Sequence, residues 1–185
     1  MVDTREKILI TMARLIEKQG YHATGLNEII RESGAPKGSV YYHFPGGKEQ
    51  IGAEAILEAG KIISERLRAM LEAEANPFSA ITSFMLKMAE NMETAGYNSS
   101  SPLTTATIET SITSEAINNA CRAAFDMILS VLSEKFIASG IKQAKASELA
   151  MFVTTLIEGG ILMSRTYHDA KPLRIAAGQL KGLLV

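Results

Sequence analysis

Apolar residues recur every three to four positions along most of the chain, which is the spacing of amphipathic helices and not the alternation of strands. Glycine, proline and asparagine interrupt this pattern at intervals and mark the ends of the helices. The pattern predicts nine helices, at about residues 4–18, 25–33, 37–44, 48–74, 78–95, 103–110, 114–139, 145–167 and 172–184. We therefore expect an all-α protein.

The first three helices are short and closely spaced. Gly20 ends the first helix in the usual C-cap position, and Thr24 is the expected N-cap of the second. The turn Gly34-Ala35-Pro36 leads into the third helix, since proline suits a first helical turn. Pro45-Gly46-Gly47 then breaks the chain. This punctuation predicts a three-helix domain and a six-helix domain, over residues 1–47 and 48–185.

The composition fits a folded, water-soluble chain, because 46% of the 185 residues are hydrophobic and 21% are charged. No uninterrupted apolar run approaches the roughly 18 residues of a membrane span, and the charged N-terminus has no apolar signal region. Cys121 is the single cysteine, which agrees with a reducing compartment. We expect a cytoplasmic protein that does not associate with membranes.

Charge gives little support to nucleic-acid binding. The net charge is −1, and residues 1–50 carry seven Lys/Arg against six Asp/Glu, while the remainder carries twelve against fourteen. The N-terminal part is only marginally basic, so an assignment of DNA binding must rest on motif and spacing.

The second and third helices, with the glycine-containing turn between them, are typical of a helix-turn-helix. The third helix has small and polar residues at its N-terminal end, which lets a helix enter the major groove of DNA. Val40 and Phe44 fall on its other face and anchor it. Phosphates are also within reach of the Thr24 hydroxyl, or the helix start it caps, and of Lys48 beside free backbone N–H groups. The candidate DNA contacts are Thr24, Lys37, Gly38, Ser39, Tyr42, His43 and Lys48.

An ordinary helical pair with an aromatic cluster in its core would use the same residue types, and spacing alone does not separate the two interpretations. Residues 4–52 resemble the DNA-binding domain of the TetR family of bacterial transcriptional repressors. The resemblance is carried by Gly20-Tyr21, the segments 24–30 and 34–44, and Lys48-Glu49. It implies a homodimer on double-stranded operator DNA, with a C-terminal domain for ligand binding and dimerisation. By position, it assigns the DNA contacts to Lys37, Gly38, Ser39, Tyr42, His43 and Lys48.

One departure from the usual family pattern concerns the spacer before Lys48. The family usually places two residues between the final aromatic residue and the lysine, whereas this chain has three, Pro45-Gly46-Gly47. Together with Pro102-Leu103 and Glu109, this form resembles the branch of lincomycin- and flavonoid-responsive repressors. That resemblance implies control of a neighbouring efflux or detoxification gene.

The last two predicted helices are the candidates for a dimer interface, because a helix-turn-helix gains affinity and specificity when two copies bind together. Gly159-Gly160 lowers helix propensity in mid-helix, and the close approach of another helix would explain this cost. The same faces would equally fill the core of a monomer. The candidate interface residues are Phe152, Leu156, Gly160, Met163, Tyr167, Ile175 and Leu180.

The middle helices combine methionine and phenylalanine with scattered threonine, which is typical of a pocket for a small lipophilic or aromatic effector. Any one of these residues would more often belong to a core. The candidate pocket residues are Phe84, Met88, Met92, Thr104, Thr107, Ile108, Phe125, Ile128, Leu129, Thr155 and Glu158.

Nothing in the sequence suits an enzyme, a metal site or a cofactor. The three histidines are scattered, and Gly46-Gly47-Lys48 lacks the spacing of a phosphate-binding loop. Three hypotheses follow. The first is a homodimeric repressor released from a palindromic operator by its effector, the second a helical DNA-binding factor without inducer control, and the third a helical small-molecule-binding protein.

Overall fold

The structure is a computed structural model that describes residues 3–97 and 101–182. Every regular element within these ranges is a helix, which confirms the expectation of an all-α protein. The helices are α1 (Thr4–Gln19), α2 (Leu26–Ser33), α3 (Lys37–His43), α4 (Gly47–Glu72), α5 (Pro77–Thr94), α6 (Pro102–Thr110), α7 (Glu115–Ala138), α8 (Gln143–Tyr167) and α9 (Lys171–Gly182).

Local capping chemistry explains several of the helix ends. The Asp3 side chain accepts the N–H of Thr4, and the Asn76 side chain accepts two N–H groups at the start of α5, where Pro77 is the first helical residue. Gly34 ends α2 in the left-handed conformation, with φ of 65°. The N-cap prediction for α2 was wrong, because Gly25 occupies that position and Thr24 lies one residue before it.

The chain packs as two compact units, which differ from the two predicted domains. Of the described residues, the first unit comprises 3–62 together with 101–125, and the second comprises 63–97 together with 126–182. The first unit therefore includes the start of α4, all of α6 and the start of α7 in addition to α1–α3. The predicted boundary after residue 47 concerns function and stays a prediction, but compactness divides the chain elsewhere.

Apolar side chains at helical spacing fill the core of the first unit. α1 contacts α2, α3 and α6, so that it lies at the centre of this unit. Its buried stripe places apolar residues in successive turns against these neighbours, as the sequence pattern predicts. The fully buried large side chains of this unit include Ile8, Met12, Ile16, Ile29, Phe44, Ile51 and Ile56.

The second unit is organised around α9, which packs against both α5 and α8. Gly160 of α8 permits one of these contacts, since a Cβ at this position would lie 2.7 Å from Cδ1 of Leu173. The predicted close approach at the glycine pair therefore occurs, but the approaching helix is α9 of the same chain. Gly160 and Leu180 are both buried in this unit. Their assignment to a dimer interface was wrong.

α8 is long and apolar enough to cross a membrane by length and composition, with a mean hydropathy of 1.4, and 44% of that stretch is buried inside the protein. Its sequence holds no uninterrupted apolar run of that length, because polar residues are distributed along the helix. A core helix of a soluble protein has the same properties. The finding shows only that α8 carries apolar residues on more than one face.

Candidate DNA-binding surface

α3 separates its side chains into a buried face and an exposed face. Val40 and Phe44, at the C-cap, are buried, and they hold the helix against the core of the first unit. Lys37 and Gly38 are exposed at its start, and Tyr42 is 82% exposed near its end. This division is what a recognition helix needs, because one face must be anchored while the other meets the DNA.

The start of α3 is also sterically open. A Cβ added at Gly38 would meet nothing within 4 Å, so this glycine is not required by packing inside the chain. Ser39 and His43 are half-buried beside the exposed residues. A glycine with open space above it allows the backbone to approach a DNA surface closely.

Arg5 of α1 is a contributor that the sequence analysis missed. Its guanidinium lies 5.5 Å from the centre of the Phe44 ring and also forms an ion pair with Glu54 of α4. A cation over an aromatic face is attracted to the ring. Arg5, which belongs to α1, thereby links the end of α3 to both α1 and α4. No sequence pattern indicates this contact, since Arg5 and Phe44 are far apart along the chain.

The ammonium group of Lys48 is engaged inside the chain. Its Nζ lies 4.2 Å from the centre of the Tyr21 ring and donates to the His22 carbonyl at 3.4 Å. Burial lowers the pKa of Lys48, and the negative charge of Glu109 opposes that shift. A contact between Lys48 and a DNA phosphate would therefore require the side chain to leave Tyr21.

Two backbone N–H groups, those of the two residues just before Lys48, are already used inside the chain. The N–H of Gly46 donates to Oε1 of Gln50 at 2.8 Å, and the N–H of Gly47 donates to the Phe44 carbonyl at 2.9 Å. These two groups stabilise the break between α3 and α4. They are consequently not available to form an anion site.

Thr24 serves the fold of the first unit. Its side chain is fully buried, and its hydroxyl donates to the Gly20 carbonyl at 2.7 Å. The prediction that Thr24 offers a phosphate its hydroxyl, or the helix that it caps, does not fit this position. The hydroxyl instead satisfies a carbonyl at the end of α1.

The candidate pocket residues belong to both compact units. Thr104, Thr107, Ile108 and Phe125 belong to the first, and the other seven belong to the second. Ile108 is 69% exposed, and Thr155 is exposed with its hydroxyl on the Met151 carbonyl, so neither faces the interior of its unit. Met92 and Ile128 are buried, while Phe84, Met88, Thr104, Thr107, Phe125, Leu129 and Glu158 are half-buried.

The second unit carries an open cleft of about 450 Å³ between α7 and α8. Leu129 is the one candidate pocket residue that lines it. Its other walls combine polar and apolar side chains, which are those of Asp126, Ser130, Ser133, Glu134, Ile137, Gln143, Ser147, Ala150 and Met151. This mixed surface differs from the lipophilic pocket that the sequence predicted.

Several of the candidate interface residues form an exposed apolar surface on the second unit. Tyr167, Ile175, Met163 and Phe152 are all exposed, and Leu156 is half-buried. Exposed apolar residues in such number are typical of a surface that another molecule covers. Gly160 and Leu180 are not part of this surface, and the assignment of the other candidates to a dimer interface stays a prediction.

Within residues 3–97 and 101–182, no three His, Cys, Asp or Glu side chains group in a way that would hold a metal ion. Cys121 is buried, and burial raises the pKa of its thiol. Its Sγ lies 3.8 Å from the Leu103 carbonyl. This cysteine is a packing residue of the first unit.

Comparison with known proteins agrees with this geometry. Residues 8–55 match the family described as bacterial regulatory proteins, tetR family, and residues 77–179 match the C-terminal domain described as transcriptional regulator LmrA/YxaF-like. The chain is 42% identical to the HTH-type transcriptional regulator LmrA of Bacillus subtilis, over 92% of this chain and 91% of that protein. It is 38% identical to the uncharacterized HTH-type regulator YxaF of the same organism, over 98% of this chain and 95% of that protein.

A solved structure shows the same fold at lower identity. The reduced form of NemR from Escherichia coli superimposes with a TM-score of 0.84 at 22% identity, over 97% of this chain and 96% of that chain. Regulators of this family bind operator DNA and act as dimers. The exposed face of α3 and the two family matches lead to one conclusion: the chain belongs to the TetR family and is a DNA-binding transcriptional regulator of the helix-turn-helix type.

Proposed function

We propose that this protein is a cytoplasmic, homodimeric repressor that leaves a palindromic operator when a small lipophilic or aromatic effector binds. The observation that carries the proposal is the division of α3, which anchors Val40 and Phe44 and exposes Lys37, Gly38 and Tyr42. We assign operator contacts to the exposed or half-buried residues Lys37, Gly38, Ser39, Tyr42, His43 and Lys48.

The palindrome follows from the proposed dimer. Two copies related by a two-fold axis present two recognition helices to half-sites about one helical turn of DNA apart, roughly 34 Å. The exposed apolar side chains of Phe152, Met163, Tyr167 and Ile175 support the interface that would relate the two copies.

Release by an effector requires that the effector prefers a conformation that does not bind DNA. We propose that the effector binds in the C-terminal helical domain and shifts its helices, and that α4 carries this shift to the helix-turn-helix. We choose the effectors to be tested from the resemblance to the lincomycin- and flavonoid-responsive branch. That resemblance rests on the spacer Pro45-Gly46-Gly47, on Pro102-Leu103 and on Glu109. The regulated gene would be an adjacent efflux or detoxification gene.

The test begins by selecting duplexes from a random pool with the full-length protein. Affinity for the selected operator is then measured with and without saturating lincomycin or a planar flavonoid such as quercetin. A selected palindrome and a loss of affinity with one of these probes are the expected results. A selected palindrome whose affinity neither probe changes would exclude control by these effectors and favour a DNA-binding factor without such control. No preference for any duplex over competitor DNA would overturn the proposal.

A further inference from the structure

Glu109, in the last turn of α6, contacts the turn that follows α1. Its Oε2 accepts the backbone N–H of His22 at 2.9 Å. Nε2 of His22 also lies 3.1 Å from the Glu109 carbonyl. Because that carbonyl can only accept, Nε2 is the donor in this contact. His22 thus donates two hydrogen bonds to Glu109, one to its carboxylate and one to its backbone carbonyl.

Gly20 makes room for this carboxylate. It has φ of 90°, and a Cβ at this position would lie 1.9 Å from Oε1 of Glu109. A side chain here would therefore clash with the carboxylate and would also strain the backbone. The glycine that ends α1 has a second role, which is to admit the Glu109 side chain against the turn.

A neighbouring contact holds the start of α4. Ser114, in the turn after α6, donates its hydroxyl to Oε1 of Glu49 at 2.6 Å. The negative charge of Glu109 also opposes the lowering of the Lys48 pKa by burial. The helix-turn-helix segment, α2 and α3, lies between these two points along the chain. Both ends of the segment are consequently held by α6 and the turn that follows it.

We propose that Glu109 is a positioning residue for operator recognition, which fixes the orientation of the helix-turn-helix segment on α6 and thereby the half-site spacing that a dimer accepts. This inference rests on the proposed binding of a palindromic operator by a homodimer. It assigns a role to a residue outside the DNA contacts and outside the pocket. The orientation matters because two recognition helices must enter successive major grooves in register.

The contact is accessible enough to be removed without loss of the fold. His22 is exposed and Glu109 is half-buried, so neither belongs to the apolar core of the unit. Glu109→Gln keeps an oxygen that can accept the His22 N–H and removes the charge, whereas Glu109→Ala removes both. Glu115→Gln is a matched control, since Glu115 is an exposed carboxylate in the first turn of α7.

The experiment measures affinity for three duplexes: the selected operator, and two derivatives with half-sites one base pair closer or one base pair farther apart. Wild-type protein and Glu115→Gln should prefer the selected spacing by at least about tenfold. Glu109→Ala should retain binding to the selected operator but lose most of that preference, since a charge-assisted hydrogen bond contributes on the order of tenfold. Glu109→Gln should lie between the two.

The outcomes separate positioning from a general loss of structure. A variant that weakens all three duplexes by the same factor, or leaves all three unchanged, would overturn the positioning role. His22→Ala provides a second route, because it removes the imidazole contact and keeps the carboxylate contact to the backbone. Thermal melts of each variant confirm that it is folded. Wild-type protein that prefers no duplex would overturn the proposed function itself, and this inference with it.

Discussion

α3 and α8 both expose large side chains, but the two helices do so in different ways. α3 buries its apolar residues and exposes Lys37, Gly38 and Tyr42, so that polarity alone separates its two faces. α8 is apolar on its buried face, with Val153 and Ile157, and again on its exposed face, with Phe152 and Met163. A helix that is apolar on both faces has a second surface to cover, and its sequence does not say which face meets the core.

Among the substitutions that compare the two helices, Met163→Glu in α8 should have the largest effect. A charge buried without a partner costs about 3 kcal/mol or more, and a two-fold interface would bury two of them. We expect the dimer dissociation constant to rise by several orders of magnitude while each protomer stays folded. Sedimentation velocity measures the assembly, and circular dichroism measures the fold. Ala144→Glu adds the same charge to the exposed first turn of α8 and should leave the dimer intact. An intact dimer in both variants would place the interface elsewhere.

Phe44→Ala should destabilise the buried side of α3. The ring is fully buried and lies under the Arg5 guanidinium, so its removal leaves a cavity and should lower the free energy of unfolding by about 3–5 kcal/mol. Urea denaturation measures this change. Phe44→Leu keeps much of the volume and should cost less than half as much. Equal stability of Phe44→Ala and wild type would contradict the anchoring role of this face.

Tyr42→Phe should affect the exposed side of α3 without affecting stability. The side chain is 82% exposed, so its hydroxyl is free to reach a ligand outside the chain. If the hydroxyl donates to a phosphate, its removal should weaken operator binding by about tenfold, or roughly 1.4 kcal/mol. Fluorescence anisotropy of a labelled operator measures this affinity. Tyr41→Phe is the control on the neighbouring residue. A similar weakening in both variants would remove the specific role of Tyr42.

Lys48→Ala should have the smallest effect and the most diagnostic salt dependence. The lysine must leave the Tyr21 ring to reach a phosphate, which offsets part of its contribution to binding. A dimer carries two such lysines, and the slope of log affinity against log salt should become less negative by about 0.9 for each phosphate that is no longer neutralised. Titration of operator binding at several salt concentrations measures the slope. An unchanged slope would show that Lys48 stays on Tyr21 in the complex.

Sequence was most informative where a local pattern determines the structure. The residues of α3 follow one another along the chain, and their order of apolar and polar positions already separates the buried face from the exposed face. The end of α1 at Gly20 was equally readable, because a glycine tolerates the positive φ, here 90°, with which this helix ends.

The features that the sequence could not predict depend on which of several possible partners a residue meets in the fold, and some of these partners are far away along the chain. Thr24 has the chemistry of an N-cap, yet Gly25 is the N-cap of α2 and the Thr24 hydroxyl donates to the Gly20 carbonyl. The glycine pair in α8 indicated a close helix but not that α9 would be that helix. Ile108 fits an apolar stripe by spacing, but α6 presents other residues to the core of the first unit. The inclusion of α6 in that unit depends on contacts across 87 residues of chain, such as His22 with Glu109.

The space at Gly20 has a consequence for building chimeric regulators. A chimera could join residues 1–47 of another regulator to residues 48–185 of this chain. The foreign residue at position 20 would then lie against the Glu109 carboxylate, since a Cβ at this position would meet the carboxylate oxygen. A graft without glycine at the end of α1 would strain the backbone there and displace the Glu109 side chain, whereas a graft that carries its own α6 or supplies that glycine avoids both. The boundary between exchangeable parts of the chain should therefore keep α6 together with α1, and should not simply follow the residues between α3 and α4.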